Sequence, residues 1–154
     1  IRQHCGLIRA QKVRKYLLVD DARPVGKARH KVPLNAPEVY ENEQVNKVIA
    51  LMKHHLDSPI PLTEVAEFAG VTFRQLNLMF TKCTGYSAAV YWRSMRLEQA
   101  RKLMSDSSNS INTIAAATGF SDASHLIAWF RKHYGETPSA FRKRRREVEK
   151  LVKE

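Results

Sequence analysis

Long apolar runs, cysteines and acidic residues are all scarce in this chain. No stretch approaches the roughly 18 consecutive apolar residues that a membrane-spanning helix needs, and no charged-then-apolar leader is present, so neither a bilayer span nor export is expected. Cys5 and Cys83 are too few for a disulfide framework and too far apart in sequence for a zinc knuckle, which fits a reducing cytoplasm. Acids number 15 against 26 Lys and Arg, leaving a net charge of +11. A charge of that sign and size suits a polyanion, and nucleic acid is a stronger candidate than an anionic membrane. Chemical constellations are missing too. There is no glycine-rich phosphate loop, and the acids are dispersed rather than paired with a base. The adjacent His54 and His55 face different sides of a helix, and His125 and His133 split outward and inward, so neither pair makes a metal site. The chain is not expected to be an enzyme, and no catalytic residue, metal or cofactor is expected.

What the chain does have is an internal repeat. LTEVAEFAGVTFRQLNLMFTKCTGYS, residues 62–87, returns in altered form as INTIAAATGFSDASHLIAWFRKHYGETP, residues 111–138. Val65, Ala66, Gly70 and Thr72 match Ile114, Ala115, Gly119 and Ser121 at one offset. One inserted residue later, Leu76, Phe80, Lys82 and Gly85 match Leu126, Phe130, Lys132 and Gly135. Each copy reads as a short apolar helix, a glycine turn and a second amphipathic helix, which is the layout of a helix-turn-helix. The glycines suit left-handed turns, Thr72 and Ser121 sit where the next helix needs an N-cap oxygen, and Thr72 with Gln75 has capping-box spacing. The 154 residues, 44% hydrophobic, suffice for one core or two small ones.

The rest of the chain frames this repeat. Residues 1–18 read as helix-like, with Leu7, Ile8, Val13, Leu17 and Leu18 among basic residues, and Asp20 to Pro37 lacks apolar periodicity and reads as a linker. A helix is predicted from about Asn42 to Leu56, with Val45, Val48, Ile49, Met52 and Leu56 on one stripe. Between the repeats, Ser87 to Met104 contains no glycine or proline, and as one helix it would span about 27 Å. Recognition helices must stand about 34 Å apart to enter successive major grooves, and a stiff connector of this length helps to set that spacing. Pro138 lies near the start of a last helix, whose five consecutive basic residues, Arg142 to Arg146, read as a solvated face.

RQLNLMF, RLEQARKLM, IAAATGFSDASHL and FRKHYGETPSAFRK, within residues 41–145, resemble the DNA-binding domain of AraC/XylS-type bacterial transcription regulators. The resemblance implies an all-α fold of two homeodomain-like helix-turn-helix subdomains joined by a long connector helix, acting as a transcription factor in the bacterial cytoplasm. The domain is placed at residues 38–154, with helix-turn-helix units at about 62–83 and 111–134 and the connector at about 87–104. HCGLIRAQKVRKYLLVDDARPVGKARH is similar to the end of the amidotransferase-like sensory domain of one branch of that family. Residues 1–37 are therefore expected to be the tail and linker of a missing domain, and the chain, which begins with Ile1, a fragment or processed product. In that branch the sensory domain binds a small nitrogenous metabolite and dimerises. Effector binding and homodimerisation are thus expected only of the full-length protein, and RNA polymerase is a further partner.

Helix geometry selects the base readers. Leu76, Met79, Phe80 and Cys83 share one face and are expected in the core, leaving Phe73, Arg74, Asn77, Leu78 and Thr81 outward. Arg74 suits guanine O6 and N7, and Asn77 suits adenine N6 and N7. In the second unit Leu126, Trp129, Phe130 and His133 point inward, while Ser124, His125, Ile127 and Ala128 face out. Family members often carry arginine at the positions of Leu78 and Ala128, so the usual guanine contacts are lost here. Leu78, Ile127 and Ala128 either meet thymine methyl groups or are ordinary surface hydrophobes. Lys82, Arg131 and Lys132, with Thr63 and Asn112 near the starts of the preceding helices, are candidate phosphate contacts. Two other classes are open: a helical protein-interaction module, and a DNA-repair alkyl-acceptor adaptor carrying the same module, against which the expected burial of Cys83 argues.

Overall fold

The computed structural model describes residues 39–153. The helix and linker expected in residues 1–37, and Cys5, lie outside the described residues. The described residues form helices α1 (Glu43–His54), α2 (Leu62–Phe68), α3 (Phe73–Thr84), α4 (Ala88–Asp106), α5 (Ile111–Ala117), α6 (Ala123–Tyr134) and α7 (Pro138–Lys153), with no strand among them. The all-α expectation holds. The chain divides into two compact units, one of residues 39–54 and 60–92, the other of residues 55–59 and 93–153. Helix α4 supplies its residues up to Trp92 to the first unit and those from Arg93 to the second.

In the first unit, α1 begins where the Asn42 side chain accepts from the Val45 amide at 3.1 Å, and it buries Val45, Val48, Ile49 and Met52. These pack with Val65 and Ala66 of α2 and Leu76 and Phe80 of α3 around Tyr91 and Trp92. Full burial of each large apolar side chain contributes about 1.5–3 kcal/mol. The Trp92 indole donates to the Met52 carbonyl at 3.0 Å, which satisfies the polar end of an otherwise apolar ring. Gly70 ends α2 at φ 67°, and α3 then starts on a complete capping box, with Gln75 N–H donating to Thr72 Oγ1 at 3.2 Å and Thr72 N–H to Gln75 Oε1 at 2.8 Å.

The second unit repeats the plan around Leu97, Ala100, Ile114, Phe120, Leu126, Phe130 and Phe141. Ser110 caps α5, its hydroxyl accepting from the Thr113 amide at 3.1 Å. The turn differs from the expectation. The N-cap of α6 is Asp122, whose carboxylate accepts from the His125 amide at 2.8 Å, and not Ser121. The residue inserted between the repeats lengthens the turn by one position, so the cap falls on the next side chain able to accept. Gly119 has φ 70°, and a Cβ there would lie 2.6 Å from the Pro59 ring and 2.7 Å from the Leu56 carbonyl oxygen. This turn packs too tightly for a side chain, and its glycine is required for space as well as for conformation. Pro138 is the first residue of α7, where its missing N–H is no loss.

Candidate nucleic-acid interface

Buried Leu76, Phe80 and Thr84 set the phase of α3. This turns the core face toward Thr84 and away from Met79 and Cys83, which were expected inside and are half-buried on one flank. Phe73, Arg74, Leu78 and Thr81 are exposed as expected, and Gln75 and Lys82 join them. Asn77 is the exception. Half-buried, it accepts from the Ala88 amide at 3.2 Å through Oδ1 and donates to the Phe73 carbonyl at 3.3 Å through Nδ2. Both polar atoms are thus used within the unit, and Asn77 secures the first amide of α4 instead of presenting an edge to adenine.

On α6, Leu126 and Phe130 are buried, while Ser124, His125, Ile127, Ala128, Arg131 and Lys132 are exposed. Trp129 and His133, expected inside, are half-buried. The Trp129 indole N–H donates to His125 Nε2 at 3.0 Å, so the imidazole proton sits on Nδ1 and donates to Ser121 Oγ at 3.1 Å. The ring also meets Phe120 edge-on at 5.6 Å. His125 therefore has no free nitrogen for a base and instead ties the turn to Trp129. The Arg93 guanidinium carbon lies 3.6 Å from the Trp129 ring centroid and Lys132 Nζ 4.7 Å from it. Also on α4, Arg96 Nη1 donates to the Gly119 carbonyl at 2.9 Å, with its guanidinium carbon 5.0 Å from the Phe120 ring centroid. The roles of Arg93 and Trp129 were not read from sequence. Their signal was the helical step between Arg93 and Arg96, which puts two guanidinium groups on one side of α4.

Thr63 and Asn112 are exposed, each the second residue of its helix. Of the basic run, Arg142 donates to the Asn109 carbonyl, Arg144 pairs with Glu136 at 2.7 Å and Arg145 with Glu149 at 3.8 Å. Those contacts commit much of the run to its own unit. Among the described residues no group of three or more His, Cys, Asp or Glu is placed to hold a metal, and no helix is long and apolar enough to cross a membrane.

Two helices, α3 and α6, each follow a glycine turn and a side-chain cap and present an exposed face. The pattern of the family described as "Helix-turn-helix domain" matches residues 65–144. The transcriptional regulator GbdR of Pseudomonas aeruginosa is 33% identical over 110 residues, 71% of this chain and 28% of that protein. This chain spans between 28% and 44% of the length of the curated relatives GbdR, ArgR and GlxA. Among solved structures, a transcriptional regulator of Chromobacterium violaceum with an AraC-type DNA-binding domain superimposes with a TM-score of 0.63 at 31% identity, covering 66% of this chain and 91% of that one. The DNA-binding domain of AdpA, a global transcriptional factor solved with a target DNA, gives 0.66 at 25% identity, covering 70% of this chain and 96% of that one. Residues 65–144 carry the pattern and include both α3 and α6, and the chain belongs to the AraC-type helix-turn-helix family of transcription regulators.

Proposed function

We propose that this chain binds duplex DNA sequence-specifically through two successive major-groove segments, one read by α3 and one by α6, and regulates transcription from that site. The observation that carries this reading is the duplicated presentation of a capped, amphipathic helix with an outward face free of core packing. In the first segment Arg74 takes the guanine edge, with Phe73 and Leu78 against thymine methyl groups. In the second, Ser124, Ile127 and Ala128 form the reading surface, short and weakly polar, suited to methyl contacts rather than to guanine. Thr63, Lys82, Asn112, Arg131 and Lys132 meet phosphate and fix the register without reading sequence.

The resemblance of residues 1–37 to the end of a sensory domain supports effector binding and dimerisation by a protein of this family. Relatives named transcriptional activators support RNA polymerase as the downstream partner. Hydroxyl-radical footprinting on a site selected from a random duplex library tests the DNA reading. The expected result is two protected patches per chain with centres about 10 base pairs apart on one face. A single patch would mean that only one unit docks. No sequence preference with no salt dependence would leave the helical interaction module as the better reading.

A further inference from the structure

We infer that Arg93 and Lys132, held against the Trp129 ring on the flank of α6, form a site for one phosphate diester of the DNA backbone. This inference rests on the proposed docking of α6 in the major groove and adds to it a contact contributed by the connector helix. The geometry starts from helical phase. At about 100° per residue, Ser124, Ala128 and Arg131 centre the outward face of α6, opposite Leu126 and Phe130. His125, Trp129 and Lys132 lie next to them, around one side of the helix. A helix seated in a major groove turns such a flank toward a groove wall, and the wall is phosphate.

Three features suit that flank to an anion. The indole of Trp129 is fixed by His125, and the Arg93 guanidinium stacks 3.6 Å from the ring, so its plane and its N–H fork are held before any ligand arrives. Neither Arg93 nor Lys132 has an ion-pair partner among the described residues, and the Nε of neighbouring Arg96 is buried without a hydrogen-bond partner. Burial pulls the Arg93 guanidinium below its ordinary value, and burial followed by the charge of Arg93 does the same to Arg96, although both remain protonated. Two cations that destabilise each other without a counter-charge are stabilised by a bound oxyanion.

The first unit supplies an internal control. Val45, Val48 and Met52 of α1 have the spacing and burial of Leu97, Ala100 and Met104 of α4, and Gln44 donates to the Ala69 carbonyl much as Arg96 donates to Gly119. In that register Glu41, which precedes α1, aligns in sequence with Arg93, and Met79 aligns with Trp129. The matching flank of α3 borders an open groove of about 710 Å³ lined by Glu41, Glu43 and Lys82 among others. Among the described lining residues Lys82 stands there without a second cation beside it, so the paired-cation site belongs to the second unit alone.

The test combines Arg93→Gln with single methylphosphonate substitutions across the second half-site of a selected operator, using the 154-residue chain. One neutralised phosphate should weaken wild-type binding about tenfold and Arg93→Gln binding less than about twofold, and Arg93→Gln should flatten the salt slope by about one unit. Lys132→Gln leaves the Arg93 stack intact and should give a partial version of the same coupling, which covers the case in which Arg93→Gln perturbs folding. Additive losses at every phosphate for both variants, with wild-type salt slopes, would overturn the site. The two-patch footprint would survive that result, so the proposed function is judged separately. Saturable binding of inorganic phosphate that Arg93→Gln abolishes, without coupling to any methylphosphonate, would assign the site to a free anion and equally overturn it.

Discussion

Asn77 and His125 show how a side chain on the outward half of a helix can be claimed by its neighbours. Asn77 secures the Ala88 amide, so Asn77→Ala should lower stability by about 1 kcal/mol, the usual cost of losing an N-terminal amide's acceptor, and leave base preference unchanged. Arg74, exposed and without an internal role, should behave in the opposite way: Arg74→Ala relaxes preference at one base pair and leaves urea midpoints alone. Equal stability losses from the two substitutions, or a specificity change from Asn77→Ala, would contradict this division. Glu98 carries a pH-dependent contribution. Burial pushes its carboxyl up, but hydrogen bonds from Arg101 at 2.6 and 3.0 Å, the charge of Arg101 and a hydrogen bond from the Tyr134 hydroxyl at 3.1 Å outweigh this and hold it below the ordinary glutamate value. A carboxyl depressed in the folded state stabilises the fold above its unfolded value of about 4.3, and that contribution is lost as pH falls through the folded value. Glu98→Gln should therefore cost about 1 kcal/mol near neutral pH and much less in urea titrations at pH 3 or so. A penalty independent of pH would show that packing, not charge, sets the role of Glu98.

Gly70 and Gly119 occupy equivalent turns but tolerate change differently. Both have positive φ, yet a Cβ on Gly70 meets nothing within 4 Å whereas one on Gly119 meets Pro59 at 2.6 Å. Gly70→Ala should cost about 1 kcal/mol from backbone conformation alone. Gly119→Ala adds overpacking of about 1–3 kcal/mol, and thermal denaturation should separate the two by several degrees. Equal shifts would mean that the Pro59 segment yields without cost. The glycines themselves were legible in sequence because left-handed turns leave few alternatives, and α4, expected over 87–104, runs from Ala88 to Asp106. Cap position was less legible. Ser121 and Asp122 are adjacent and both able to accept, so only the packing of Phe120 and the pairing of Ser121 with His125 decide between them. The phase of α3 is hard to read from sequence for a related reason. Met79 and Cys83 are apolar and at core spacing, but the buried face of α3 is formed by Leu76, Phe80 and the small Thr84, whose hydroxyl bonds back to the Phe80 carbonyl at 2.8 Å. A polar residue satisfied by its own helix can lie in a core, and apolarity alone does not reveal it.

Two reading units in one chain alter binding through linkage as well as through contact. Once one unit docks, the other binds as an intramolecular partner at an effective concentration set by the chain between them, so affinity for the full site exceeds that for either half by about 10²–10⁴-fold. The repeat made this legible from sequence, since matched turns and recognition helices imply two surfaces of one kind. The charge difference between their flanks was not, because Glu41 and Arg93 correspond only once the buried residues of α1 and α4 are aligned. Reversing the charge on one reading face tests the linkage. Arg74→Glu places a carboxylate against the groove and should abolish docking of α3 while α6 remains competent. Affinity for the selected site should then fall by about 100-fold or more. At protein concentrations that restore binding, footprinting should recover the second patch without the first, and the salt slope should decrease because the phosphate proposed for Lys82 is no longer neutralised. Loss of both patches together at every concentration would show that the two units dock only as a pair and that neither half-site is an independent element of recognition.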